Sequence, residues 1–246
     1  MDSWFYKLGK AARPAAQKGK WIWQSLTGVE AEAIQAEYDA GRELAVKFQR
    51  EADIDTDSEV VNLFNDVGGR LARCVMNKQR RFTFCAVRLP EPNAFALPGG
   101  FVFVTRSLLE LCEWRARVGE VAFILSHEMA HVMRGHAMQR MVNSSLINAA
   151  ARVTPVGGWM GRLLVQVGSQ FLQSAYSQDQ ELEADALAIR LVAAAGYDPR
   201  AAIRMLNRLK GLSTSACQGE VDLGSYFSSH PLFDVRIENL DRLIKA

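Results

Sequence analysis

The sequence predicts an α+β fold, mostly helical, with one small β-sheet. Three observations predict it. Long stretches repeat apolar residues at spacings of three and four, the pattern of helices with one buried face. Only the block 81–105 alternates or is β-rich, and Pro and Gly punctuate it. The chain has 246 residues and is 49% apolar, enough to bury a sizeable core.

Taken in order, residues 1–28 stand apart from a single domain expected over 29–246. They carry Lys7, Lys10, Arg13, Lys18 and Lys20 against one acid, Asp2. Trp4, Phe5, Tyr6, Trp21 and Trp23 lie among them. Basic residues interleaved with large aromatics suit peripheral contact with a membrane surface. The alternatives are a tail packed on the domain and a targeting presequence.

Val29–Ala52 reads as a long helix with an apolar stripe of Ile34, Tyr38, Ala45 and Phe48. Gly41 lies within it, at a cost in helix propensity. The run Asp55-Thr56-Asp57-Ser58 is a turn and cap signal, and a second helix follows over Ser58–Met76. Arg81–Leu89 alternates Phe82, Phe84 and Ala86 with Thr83, Cys85 and Val87, as a strand does. Pro98-Gly99-Gly100 before the β-rich Phe101–Thr105 predicts a hairpin or tight strand pair. Helix resumes over Ser107–Arg117 and, after Gly119, over Glu120–Arg140. Residues 141–175 are apolar and irregular, fitting a cover or core. Further helices are expected from Gln180 to Ala195, over Ala201–Lys210, and after Pro231; 211–222 reads as loop.

The chemistry centres on His127-Glu128-Met129-Ala130-His131, an H-E-x-x-H run inside the helix expected over Glu120–Arg140. At about 100° per residue, His131 lies about 40° from His127 and one turn above it, so both imidazoles can reach one ion. Two neutral imidazoles suit Zn²⁺. Glu128 falls about 100° round, beside a metal without being its ligand, placed to take a proton from water. The flanks Val121–Leu125 and Val132-Met133 are apolar, so the helix is buried. Buried His and Glu need strong partners, and a metal supplies them.

A catalytic zinc needs a third protein ligand. Glu181 and Asp185, four apart at the start of a second helix, share a face. Glu181 is the candidate ligand. Asp185, one turn on, is placed to accept the outer N–H of a ligand His. The alternative is a solvated acidic helix start favoured by the macrodipole. On an unbroken helix His136 faces about 180° from His127 and reads as a polar-face or supporting residue. His230, before Pro231, has extended backbone and is either a surface residue or a loop His aimed into a cleft.

The remaining bulk features narrow the function classes. A net charge of +2 gives no case for nucleic acid as a partner. The four cysteines, Cys74, Cys85, Cys112 and Cys217, show neither a disulfide framework nor C-x-x-C spacing. The longest uncharged run, Leu163–Gln178, is rich in Gln and Ser and falls short of a membrane span. The N-terminus lacks the apolar core of a signal peptide. The expected location is cytoplasmic or peripherally membrane-associated.

These motifs together resemble the gluzincin zinc metallopeptidases of the group containing HtpX, the CAAX prenyl protease and the BepA-like peptidases. Four blocks carry the resemblance: Asn93–Gly100 with Phe101–Thr105, His127–His131, Glu181–Asp185 in E-x-E-A-D form, and His230-Pro231-Leu232 with Arg236-Ile237. Where the group often has Ser-Arg ahead of its third ligand, Ser177-Gln178 stands here. The resemblance implies a zincin-like metallopeptidase domain of the soluble branch, its small sheet bordering an active-site cleft. It implies one Zn²⁺ per chain on His127, His131 and Glu181, Glu128 as general base, and Asp185 in support.

Phe101–Thr105 is then expected to border the cleft, and a polypeptide substrate to bind there as an added, extended strand. The function implied is hydrolysis of peptide bonds in misfolded or membrane-associated proteins. His230, Arg236 and Tyr226 are candidate donors to the charge developing on the scissile oxygen, with His230 favoured. His230 as a resting fourth zinc ligand is a separate hypothesis. The rival reading is a chaperone-like, non-catalytic protein with a structural zinc.

Overall fold

A computed structural model describes residues 30–141, 175–216, 230 and 233–245. The expectations for 1–28, for the irregular segment beginning at 141, and for Tyr226 and Cys217 lie outside those residues, apart from Met141, Ala175 and the start of the long helix at Glu30.

The sequence periodicities become three layers. Helix α1, Glu30–Glu51, covers one face of a three-stranded sheet. Helix α2, Ser58–Cys74, and helix α4, Val118–Met133, pack on the other side. The strands are β1 Thr83–Val87, β2 Ala94–Leu97 and β3 Phe101–Thr105. A short helix α3, Arg106–Leu111, links β3 to the turns before α4. Helices α5 Gln178–Ala194, α6 Arg200–Ala216 and α7 Phe233–Lys245 follow. Mostly helical with a small sheet, this is the α+β architecture expected.

Period-two alternation gives the sheet two apolar faces. Val102 and Val104 of β3, with Ala94 and Ala96 of β2, join the main core with α2 and α4. Phe95, Phe101 and Phe103 point the other way, into a second cluster under α1 that includes Ala45 and packs Phe48. There Phe48 meets Phe95 and Phe103 edge-on, at centroid distances of 5.3 and 4.8 Å.

Strand order is β1-β3-β2. The 98–100 turn joins β2 and β3 as the expected antiparallel hairpin, and β1 pairs parallel to β3. The central place of β3 corrects one expectation. Its backbone is used on both sides, so Phe101–Thr105 cannot accept another strand. The edge beside the HExxH helix belongs to β2, which packs against α4.

Two helix expectations change and one holds. The long helix forms as α1, unbroken through Gly41, where a Cβ would sit 1.7 Å from the Pro98 carbonyl oxygen. Close approach of the hairpin turn, not a break, explains the glycine. Only Arg106–Leu111 of the expected Ser107–Arg117 helix forms; 112–116 are turns. The helix α6 continues past Lys210 to Ala216, where a loop was expected. A helical period cannot report where packing extends or stops an element.

Candidate metal centre

Helix α4 is buried from Glu120 to Val132. It crosses the centre of the molecule and packs chiefly on α5, whose N-terminus is set by a capping box. The Ser177 hydroxyl accepts from Gln180 N–H, and the Gln180 side chain accepts from Ser177 N–H. The box starts α5 so that Glu181 and Asp185 face α4.

Four donor groups converge there: His127, His131, Glu181 and His230, all buried, with ligand atoms within 4.8 Å of one another. His131 Nε2 lies 3.0 Å from His127 Nε2 and 3.3 Å from Glu181 Oε1. His230 Nδ1 lies 3.0 Å from Glu181 Oε1 and 3.4 Å from His127 Nε2. Zinc bonds of about 2.0–2.1 Å in a tetrahedron set ligand atoms about 3.3–3.4 Å apart, so this spacing fits one such ion. Among the described residues this is the one cluster of His, Cys, Asp and Glu that could hold a metal. Cys74, Cys85 and Cys112 are free thiols and take no part.

Glu128 carries the second test of fit. Its side chain is buried, and neither carboxylate oxygen makes a hydrogen bond among the described residues. His230 Nε2 lies 3.5 Å from Oε1. A buried carboxylate without partners costs several kcal/mol or more, so the site is built for a group that supplies them.

Charge in the site is arranged by Arg236, from α7. Its guanidinium is fully buried. Nε and Nη2 donate to the two oxygens of Asp185 at 2.8 and 2.7 Å, and Nη1 lies 2.7 Å from Glu181 Oε2. Burial alone would raise both carboxyls; Arg236 overrides it and holds Asp185 below, and Glu181 well below, the usual carboxylate range. Both stay ionised. Asp185 in turn lies 2.9 Å from His127 Nδ1. Burial and Arg236 oppose a charge on His127, but Glu181 and Asp185 outweigh them and raise it to about 9. Burial pushes His131 well down, which favours its neutral form.

The geometry revises two readings. Arg236, one candidate donor to the reacting carbonyl, is buried and engaged by Asp185 and Glu181. His136, turned away from His127 on an unbroken helix and expected as a polar-face or supporting residue, lies against His131. The helix ends at Met133, and Gly135 takes φ 73°. Helix resumes over 136–141 on a new axis, placing His136 Nδ1 3.1 Å from His131 Nδ1. Burial lowers the His136 pKa.

Sequence reading missed Tyr176. Its ring stacks on His131, with centroids 3.7 Å apart and planes 17° from parallel. Arg140 also lies over this ring, 4.7 Å from its centroid. Burial raises the Tyr176 phenol. The available signal was an aromatic immediately before the Ser177 cap, where a helix entry packs an apolar residue.

Comparison with known proteins places this arrangement in a family. The model of peptidase family M48 matches residues 61–244. The mitochondrial metalloendopeptidase OMA1 of Schizosaccharomyces pombe is 32% identical over 162 residues, covering 63% of this chain and 44% of that protein. The beta-barrel assembly-enhancing protease of Yersinia pestis is 26% identical over 197 residues, 74% of this chain and 38% of that one. The metalloprotease LoiP of Escherichia coli is 30% identical over 161 residues, 62% and 59% of the two chains. The chain spans less than half the length of the OMA1 relatives it matches.

Proposed function

The chain belongs to peptidase family M48, and from that premise and the site we propose that it is a zinc-dependent endopeptidase acting on protein substrates. The buried carboxylate of Glu128, without a hydrogen bond among the described residues and beside four converging metal donors, carries the reading. A purely structural zinc has no use for such a group, which argues against a non-catalytic binding protein.

His127, His131 and Glu181 would hold the ion. When bound, zinc supplies Lewis acidity to the attacking water and to the scissile carbonyl. Glu128 takes the water's proton and passes it to the leaving amine. Asp185 fixes the ring of His127 through Nδ1, and Arg236 keeps Asp185 and Glu181 ionised and in place. A substrate strand would pair with the outer edge of β2, Ala94–Leu97, since β3 is already paired on both sides.

A specific observation favours a resting role for His230. Its Nδ1 completes a set of four donors, and four protein ligands close a zinc site that must keep one position open to work. On this reading His230 withdraws when substrate enters.

Zinc content and casein cleavage of wild type and Glu128→Gln test the proposal. Both should bind about one zinc, and the variant should lose about 10²–10⁴-fold in kcat. Equal cleavage by both proteins would overturn Glu128 as base; absence of bound zinc in both would overturn the metal site.

A further inference from the structure

We propose that His136 is a positioning residue for the metal ligand His131, holding it in the tautomer that presents Nε2 to the ion. The inference rests on the zinc-binding part of the reading above and not on proteolysis.

The first observation is backbone geometry. Nine residues along a continuous helix, His136 would lie about 180° from His127 and out of reach. Helix α4 instead stops at Met133, and Gly135 at φ 73° turns the chain before 136–141 become helical again. Any residue with a Cβ is strained at that φ. The turn exists where it carries the His136 ring back under His131, with centroids 5.2 Å apart and His136 only 5% exposed.

The second observation is hydrogen-bond accounting. His131 Nε2 faces the donor set, 3.0 Å from His127 Nε2 and 3.3 Å from Glu181 Oε1. A neutral imidazole that ligates through Nε2 carries its proton on Nδ1, and that N–H needs an acceptor. His136 Nδ1, 3.1 Å away, is the acceptor. His136 must then carry its own proton on Nε2. That nitrogen points outward, 3.7 Å from Oε2 of Glu183, whose side chain is 57% exposed. The series His131, His136, Glu183 therefore orients the ligand from the site to the surface, while the face of His131 is held by Tyr176.

The two ligand imidazoles are thus backed differently. His127 leans on the buried carboxylate of Asp185 at 2.9 Å. His131 leans on a neutral imidazole, with the carboxylate one step further out. Both supports come from α5: Glu183 and Asp185 follow Glu181 by two and four residues.

The test is zinc affinity, measured by competition with a chromogenic chelator on the full chain, for wild type, His136→Ala, His136→Asn and His136→Phe. An Asn side chain can set an acceptor near the position of Nδ1; Ala and Phe cannot. Loss of an outer support of a ligand His costs about 10–100-fold in metal affinity. His136→Ala should lose that much, and His136→Asn should recover most of it. Unfolding of the metal-free proteins is followed in parallel, and wild type and His136→Asn should coincide. If His136→Ala does not fold, the comparison of Asn with Phe carries the same prediction.

Wild-type affinity in the Ala or Phe variant would overturn the proposal. So would an Asn variant as weak as Ala or Phe. Casein cleavage on the same samples separates the two readings. Cleavage by wild type with unchanged affinity in every variant sinks only this inference; changed affinities with no cleavage by wild type sink only the peptidase assignment.

Discussion

Replacing Arg236 by Met tests the electrostatic frame of the site. Met fills a similar volume with no charge, so the change removes the cation without leaving a large cavity. Arg236 is fully buried, and it faces two buried carboxylates through contacts of 2.7 to 2.8 Å. Removing one partner of a buried ion pair costs about 3–5 kcal/mol, because the other charge is left uncompensated. With both Asp185 and Glu181 stranded, the upper end of that range applies at neutral pH.

For a domain of this size each kcal/mol lowers Tm by about 2–4 °C, so the metal-free variant should melt about 10–20 °C below wild type. The pH dependence has a definite sign. In wild type both carboxyls are held below their ordinary values of 3.8 and 4.5, so their contribution is present above those values and lost as pH falls through the lowered ones. Without Arg236, burial raises both, and the variant instead loses stability as pH rises above the ordinary values. The gap between the proteins should be widest near pH 7 and narrow as the pH falls through about 5 to 4. Thermal unfolding by circular dichroism on metal-free samples reads both effects. A variant within about 2 °C of wild type at pH 7, or a gap that does not narrow on acidification, would refute the reasoning.

His230→Ala separates two roles for that residue: a resting latch gives higher casein cleavage on its removal, whereas a donor to the scissile oxygen gives a kcat loss of about 10²–10³-fold. Chelation should abolish cleavage and lower Tm, since a ligand held at 100 times its Kd contributes about 2.7 kcal/mol to the folded state; added Zn²⁺ should restore both, and a Tm indifferent to chelation would count against a metal bound by four buried donors.

Much of the site was legible because its parts are local in sequence. The spacing of His127 and His131, and of Glu181 and Asp185, sets each pair on one face of a helix whatever the rest of the chain does. The apolar flanks of the H-E-x-x-H run already required burial, and buried His and Glu required partners. The alternation at 82–87 and the Pro98-Gly99-Gly100 turn specified a sheet and its hairpin.

Tertiary structure alone decided how these pieces meet. Arg236 and Asp185 are 51 residues apart, and no local pattern distinguishes a guanidinium that neutralises two buried carboxylates from one that reaches substrate. The helical phase placed His136 away from the site because phase assumes a continuous axis; the turn at Gly135 cancels that assumption. The resemblance offered β3 as the strand a substrate would join; only the sheet order β1-β3-β2 shows that β3 is paired on both sides, because side-chain pattern does not report which edge of a sheet remains free. Residue type and spacing determine the chemistry a segment can offer. Packing of the segments determines which charges are compensated, which helix ends, and which strand edge is left to bind.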